Sequence, residues 1–130
     1  MNDEKRKVFL VEDDLAIIDV YTTVFKDSKI DLKVITLGRQ AIKDINQSAE
    51  TEGEKPEVVL LDLILPDLNG AEILKAIKTN EKTKDIKVFV LSNQAFIDET
   101  ITGGIKPDEF IVKANITPTQ LLEMIEKKLS

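Results

Sequence analysis

Residues 58–70 read Val58-Val59-Leu60-Leu61-Asp62-Leu63-Ile64-Leu65-Pro66-Asp67-Leu68-Asn69-Gly70. The first four are apolar without alternation and include two β-branched side chains, the pattern of a short strand buried on both faces, as in a parallel sheet. The run closes on an acid, Asp62. Three further runs share this form, at residues 8–11, 88–91 and 110–112. A fifth candidate, residues 32–37, carries a lysine and a threonine and is expected to be a more exposed edge strand.

Segments with helical periodicity separate these runs. Ile17, Val20, Tyr21, Val24 and Phe25 form one apolar stripe, Ala41, Ile42, Ile45 and Ala49 a second, and Ile73, Leu74 and Ile77 a third. The last helix is the best marked: Thr117 as N-cap, Pro118 at the first helical position and Gln120 three residues after the cap make a capping box. Leu121, Leu122, Ile125 and Leu129 then supply its apolar face. Ile97 and Ile101 mark a shorter helix ending near Gly103 and Gly104, and residues 47–56, with Gly53 and Pro56, read as a surface loop. Strand and helix thus alternate five times, which predicts a parallel sheet with right-handed crossovers and helices on both faces. The pattern fills the chain from about residue 8 to 129, so one domain is expected over residues 1–130, with its core at about 7–129.

The composition narrows the chemistry. With 42% hydrophobic and 32% charged residues, the 130-residue chain has the makings of one folded core rather than of a disordered segment. It has no cysteine and no histidine, which excludes a disulfide framework, thiolate or imidazole metal ligands and an imidazole base. Eighteen bases against 24 acids leave a formal charge of −6, so nucleic acid is not expected as a direct partner. No apolar stretch approaches the ~20 residues that cross a bilayer. The start, Met1-Asn2-Asp3-Glu4-Lys5-Arg6-Lys7, lacks the apolar core of a signal peptide; no membrane association and a cytoplasmic location are expected.

In open α/β sheets, ligands bind outside the carboxyl ends of the strands. Here the strong runs end in Glu12-Asp13-Asp14, Asp62, Ser92 and Lys113, which parallel strands would bring to one edge. Singly, each has an ordinary explanation as a helix cap, a strand-end hydroxyl or a solvated lysine. Together the ordinary explanation weakens, because carboxylates ~4 Å apart at an effective dielectric near 20 repel by about 4 kcal/mol per pair, a cost that needs a reason. A bound divalent cation relieves that repulsion. With only oxygen ligands on offer, Mg²⁺ is favoured over zinc.

These residues resemble the receiver domains of two-component response regulators, over nearly the whole chain. The motifs that carry the likeness are Val11-Glu12-Asp13-Asp14, Leu61-Asp62-Leu63-Ile64-Leu65-Pro66-Asp67-Leu68-Asn69-Gly70, Ser92 and Phe110-Ile111-Val112-Lys113. The resemblance implies a flavodoxin-like (βα)5 doubly wound sandwich with a five-stranded parallel sheet in the order 2-1-3-4-5. It implies Asp62 as phosphoacceptor, with Glu12, Asp13, Asp62 and the backbone carbonyl of Ile64 holding Mg²⁺. Asp14 would cap the first helix. Lys113 would pair with Asp62 and then with the phosphoryl oxygens, while Ser92 would donate to the phosphoryl group. Ser92 and Phe110 would form the switch, altering the face made by the fourth helix, fifth strand and fifth helix, where Glu123, Glu126 and Lys127 offer exposed contacts.

The implied role is a stand-alone, non-enzymatic signalling switch that assists only its own phosphorylation and dephosphorylation. Its phosphoryl group would come from a histidine kinase or histidine phosphotransfer protein, and its output would be a separate downstream protein, with the chain a monomer or a weak phosphorylation-dependent dimer. A carboxylate nucleophile needs no general base, so the missing histidine is no obstacle. Two other readings compete. A degenerate receiver would bind partners without phosphorylation. A small Mg²⁺-dependent phosphatase with an aspartate nucleophile would need a second aspartate where Ile64 stands.

The chain also departs from the family pattern. Ala114 follows Lys113 where proline is usual, so either a trans bond with a reshaped loop or a cis bond costing about 3 kcal/mol is expected. Asn93 is larger than the usual small residue and would narrow access to Asp62 or bond the phosphoryl group. Residues 105–109, Ile105-Lys106-Pro107-Asp108-Glu109, replace the common glycine-alanine turn. Ile64 and Gln94 occupy the positions that influence hydrolysis. Apolar Ile64 does little to position water, so a long-lived phosphorylated form is expected.

Overall fold

The computed structural model describes residues 5–93 and 104–129. Five strands, β1 (Arg6–Val11), β2 (Ile30–Ile35), β3 (Val58–Asp62), β4 (Lys87–Ser92) and β5 (Glu109–Val112), form one sheet in the order β2-β1-β3-β4-β5, with every neighbouring pair parallel. The helices are α1 (Leu15–Phe25), α2 (Gly38–Ser48), α3 (Gly70–Lys78) and α4 (Pro118–Leu129), with a 3₁₀ turn at Lys113–Asn115. The expected helix around Ile97 and Ile101 lies outside the described residues.

All five residues of β3 are buried, as the unbroken apolar run requires of a strand between two layers. Its alternate side chains feed two cores. Val59 and Leu61 join Ala41, Ile45, Ile73, Leu74 and Ile77 of α2 and α3 on one face. Val58 and Leu60 join Tyr21, Phe25, Leu121 and Ile125 of α1 and α4 on the other. The two-sided burial expected from the sequence is therefore the architecture found.

Three local expectations are corrected. The edge strand runs over Ile30–Ile35 rather than 32–37, because Ile30 and Ile35 are the residues that turn inward, whereas Leu37 is 47% exposed at the cap of α2. Val20, placed in the apolar stripe of α1, is 44% exposed; Tyr21 and Phe25 carry the burial, with ring centroids 6.3 Å apart. The surface loop starts later than residue 47, since α2 continues to Ser48. The capping box of the last helix forms as read: Gln120 N donates to Thr117 Oγ1 at 3.1 Å and Thr117 N to Gln120 Oε1 at 2.9 Å.

Candidate metal and phosphoryl-transfer site

Parallel pairing in register brings the carboxyl ends of β1, β3, β4 and β5 to one edge. There a recess of about 300 Å³ is lined by Glu12, Asp13, Asp62, Ser92 and Lys113, with Ile64 and Asn93 among its borders. Helix α1 starts beside it because Asp14 is its N-cap, accepting from Ala16 N at 2.9 Å and Ile17 N at 3.3 Å. That engagement fits the expectation that Asp14 caps rather than ligates.

Glu12 is 1% exposed and heavily engaged. One of its oxygens accepts from the backbone amides of Asp13 and Asp14, each at 3.2 Å, and the other accepts from Lys113 Nζ at 2.9 Å. Lys113 Nζ stands 3.7 Å from Asp62 Oδ1, an ion pair beyond hydrogen-bond length. The ammonium thus sits nearer Glu12 than Asp62. Burial would lower the pKa of Lys113, but the hydrogen bond to Glu12 and the charges of Asp62 and Glu12 outweigh it and hold the ammonium above its ordinary range.

Asp62 is 9% exposed at the end of β3. Burial first, and the neighbouring Glu12 charge second, push its carboxyl up to about 6, against the opposing pull of Lys113. Ile64 N donates to Asp62 Oδ1 at 3.4 Å. Glu12, Asp13 and Asp62 each present a carboxylate oxygen within 4.8 Å of the others'. Three oxygens so placed, one on an exposed acid, suit a hard divalent cation with retained waters, which would offset both the burial of the Asp62 charge and its repulsion by Glu12.

Ser92 is buried at the end of β4. Phe110 pairs with Val90, two residues before Ser92, and packs half-buried against the α2–α3 core. Gln94 lies outside the described residues. The Lys113–Ala114 bond is trans and leads into the 3₁₀ turn. The unusual stretch before β5 is stapled: Asp108 Oδ2 accepts from Val88 N and from Lys78 Nζ, both at 2.7 Å.

Two features escaped the sequence reading. Tyr21, taken only as core, is buried within reach of the charges on Lys113, Glu12 and Asp62, and burial chiefly raises its phenol pKa. Its position seven residues after Asp14 puts it on the same side of α1 as the cap, a signal that was present. Asp67 accepts from the first amides of α2, a contact between residues 28 and 29 apart that no local pattern announces.

A doubly wound α/β sheet with carboxylates, a hydroxyl and a lysine gathered outside the carboxyl ends of its strands places the chain among the α/β domains that bind ligands at that edge. The chain belongs to the response regulator receiver domain family, whose model matches residues 8–126. Response regulator Rcp1 from Synechocystis sp. is 37% identical over 109 residues, covering 79% of this chain and 74% of that protein. The regulatory protein LuxO of Vibrio cholerae is 30% identical over 92 residues, 71% of this chain but 18% of that protein. The chain spans half the length of the mycobacterial DNA-binding response regulator MtrA. Among solved structures, the phosphorylated cyanobacterial phytochrome response regulator RcpA superposes with a TM-score of 0.78 at 28% identity, over 95% of this chain and 91% of that one. The Mn²⁺-bound form of Rcp1 gives 0.72 at 30% identity, over 94% and 90%.

Proposed function

We propose that this chain is a phosphorylation-controlled signalling switch in which Asp62 accepts a phosphoryl group from the phosphohistidine of a histidine kinase or histidine phosphotransfer protein. The observation that carries the reading is the buried Asp62 carboxylate, set among two acids within 4.8 Å and an ammonium at 3.7 Å. A carboxylate oxygen attacks phosphorus, the phosphorus–nitrogen bond breaks, and an aspartyl phosphate forms as the imidazole leaves. Mg²⁺ held by Glu12, Asp13, Asp62 and the Ile64 carbonyl would supply charge neutralisation during transfer. Lys113 swings from Glu12 toward the phosphoryl oxygens, a short move given its present position between the two acids. Ser92 donates to the phosphoryl group and Phe110 follows it inward, altering the surface formed with β5 and α4.

The crowded acids, the Mn²⁺-bound state named for Rcp1 and the phosphorylated state named for RcpA support this reading. Output passes to a separate downstream protein, with residues 1–130 forming a single cytoplasmic domain, monomeric or weakly dimeric on phosphorylation. No helix among the described residues is long and apolar enough to cross a membrane. Phosphorylation-independent partner binding is the second reading, favoured by the hydrogen bond of Lys113 to Glu12 rather than to Asp62.

Intact-protein mass after incubation with acetyl phosphate and Mg²⁺ tests the choice. One added phosphoryl group, absent without metal and absent in Asp62→Asn, is expected. No addition, together with no binding of beryllofluoride, refutes the switch and favours the second reading.

A further inference from the structure

Helix α2 begins without a cap of its own. Leu37 holds the cap position and offers no side-chain acceptor. Asp67 serves instead: its Oδ1 accepts from Gly38 N at 2.7 Å and its Oδ2 from Arg39 N at 2.9 Å. The approach is close: a Cβ at residue 38 would stand 2.6 Å from Leu68 Cδ1 and 3.2 Å from Asp67 Oδ1, so the Leu68 side chain would have to shift to admit one.

The same turn is pinned at its base. Gly70 N donates to Leu63 O at 2.8 Å, Ile64 and Asn69 form an antiparallel bridge, and a Cβ at residue 70 would meet the Asp62 carbonyl oxygen at 2.4 Å. Ile64 N in turn reaches the Asp62 carboxylate at 3.4 Å. Residues 63–69 are therefore closed against β3 at one end, held to α2 at the other, and joined to the Asp62 side chain near the start.

We propose that Asp67 is a positioning residue for the Asp62 site: by clamping the 63–69 turn to the N-terminus of α2, it fixes Ile64 relative to Asp62 and couples divalent-ion binding to that helix. The inference rests on the proposed function and adds a second route out of the site, through α2. Two bonds from backbone amides to one carboxylate are charge-assisted and directional, so they add to the packing of Leu65 and Leu68 a restraint on where the turn sits against α2. A free turn must be ordered when the ion binds, and the entropy of ordering weakens affinity. Linkage requires the reverse effect as well: an ion at the site tightens the clamp.

A Mg²⁺ titration of the ¹⁵N-labelled full chain, followed by amide NMR, tests this with Asp67→Ala and Asp67→Asn. Wild type is expected to show saturable shifts at Asp13 and Ile64 and, with the same midpoint, at Gly38 and Arg39. Asp67→Ala is expected to bind Mg²⁺ roughly tenfold more weakly, the size of effect seen when residues that support metal ligands are removed. Its residue 38 and 39 amides should no longer respond. Asp67→Asn keeps one acceptor and should fall between the two. An Asp67 variant that melts earlier yet keeps the wild-type Mg²⁺ midpoint overturns the inference, since a merely structural cap would behave that way; if the alanine variant does not fold, the asparagine variant decides. A wild-type chain without a saturable Mg²⁺ response overturns the proposed function itself, and the inference with it.

Discussion

Asp62 is held in a place that disfavours its own charge, so neutralising it should stabilise the metal-free protein. Its carboxyl is raised from an ordinary 3.8 to about 6. At 1.36 kcal/mol per pH unit, that rise of about two corresponds to about 3 kcal/mol of stability forfeited at pH 7. The sign follows from proton counting: between pH 3.8 and 6 the native state binds more protons than the unfolded one, so the penalty is absent below 3.8, grows through that window and is complete above 6. Asp62→Asn removes the charge and retains an acceptor for Ile64 N, while Lys113 keeps its bond to Glu12. The variant should gain about 3 kcal/mol at pH 7 without divalent ions, or roughly 10 °C in Tm for a domain of this size, and nothing below about pH 4. Urea titrations of both proteins at pH 4 and pH 7 in chelator measure it. Equal stability of the two at pH 7, or a larger gain at pH 4 than at pH 7, would refute the reasoning.

Other perturbations report on separate parts of the structure. Mg²⁺ at about 100 times its Kd should raise wild-type stability by about 2.7 kcal/mol, and Asp13→Asn should erase that gain in thermal melts. Gly70→Ala forces a methyl group against the Asp62 carbonyl and the Leu63 backbone, so phosphoryl uptake by mass spectrometry should fall together with Tm. Thr117→Ala removes one half of the α4 capping box and should lower stability by about 1 kcal/mol in urea while leaving the Mg²⁺ midpoint unchanged. Ile64 is 74% exposed at the rim of the recess, and Ile64→Asn should speed loss of the phosphoryl group in a time course of intact mass.

Much of this architecture was legible because its signals are local. The unbroken apolar run at β3, the stripes of α2 and α3 and the Thr117–Gln120 pair each state their environment within a few residues. The strand-end acids and Lys113 became legible as a group once parallel strands were inferred, since topology alone carries them to one edge. What the sequence leaves hidden is non-local. Lys113 and Glu12 are 101 residues apart, and nothing in either neighbourhood says that the ammonium prefers Glu12 to Asp62. Asp67 sits in a turn where aspartate is ordinary, and only the folded chain shows it capping a helix whose first amides lie 29 and 28 residues upstream. The boundary of β2 was misjudged because an edge strand mixes polar and apolar residues and leaves the register to its neighbour.

The location of the phosphoryl group is the most direct measurement of the proposed function. Borohydride reduction of the acetyl-phosphate-treated protein converts an aspartyl phosphate to homoserine, which peptide mass spectrometry then places in the chain. Homoserine at position 62 alone is expected. Homoserine at position 13 or any other acid, or at none, would contradict the assignment of Asp62 as the phosphoacceptor.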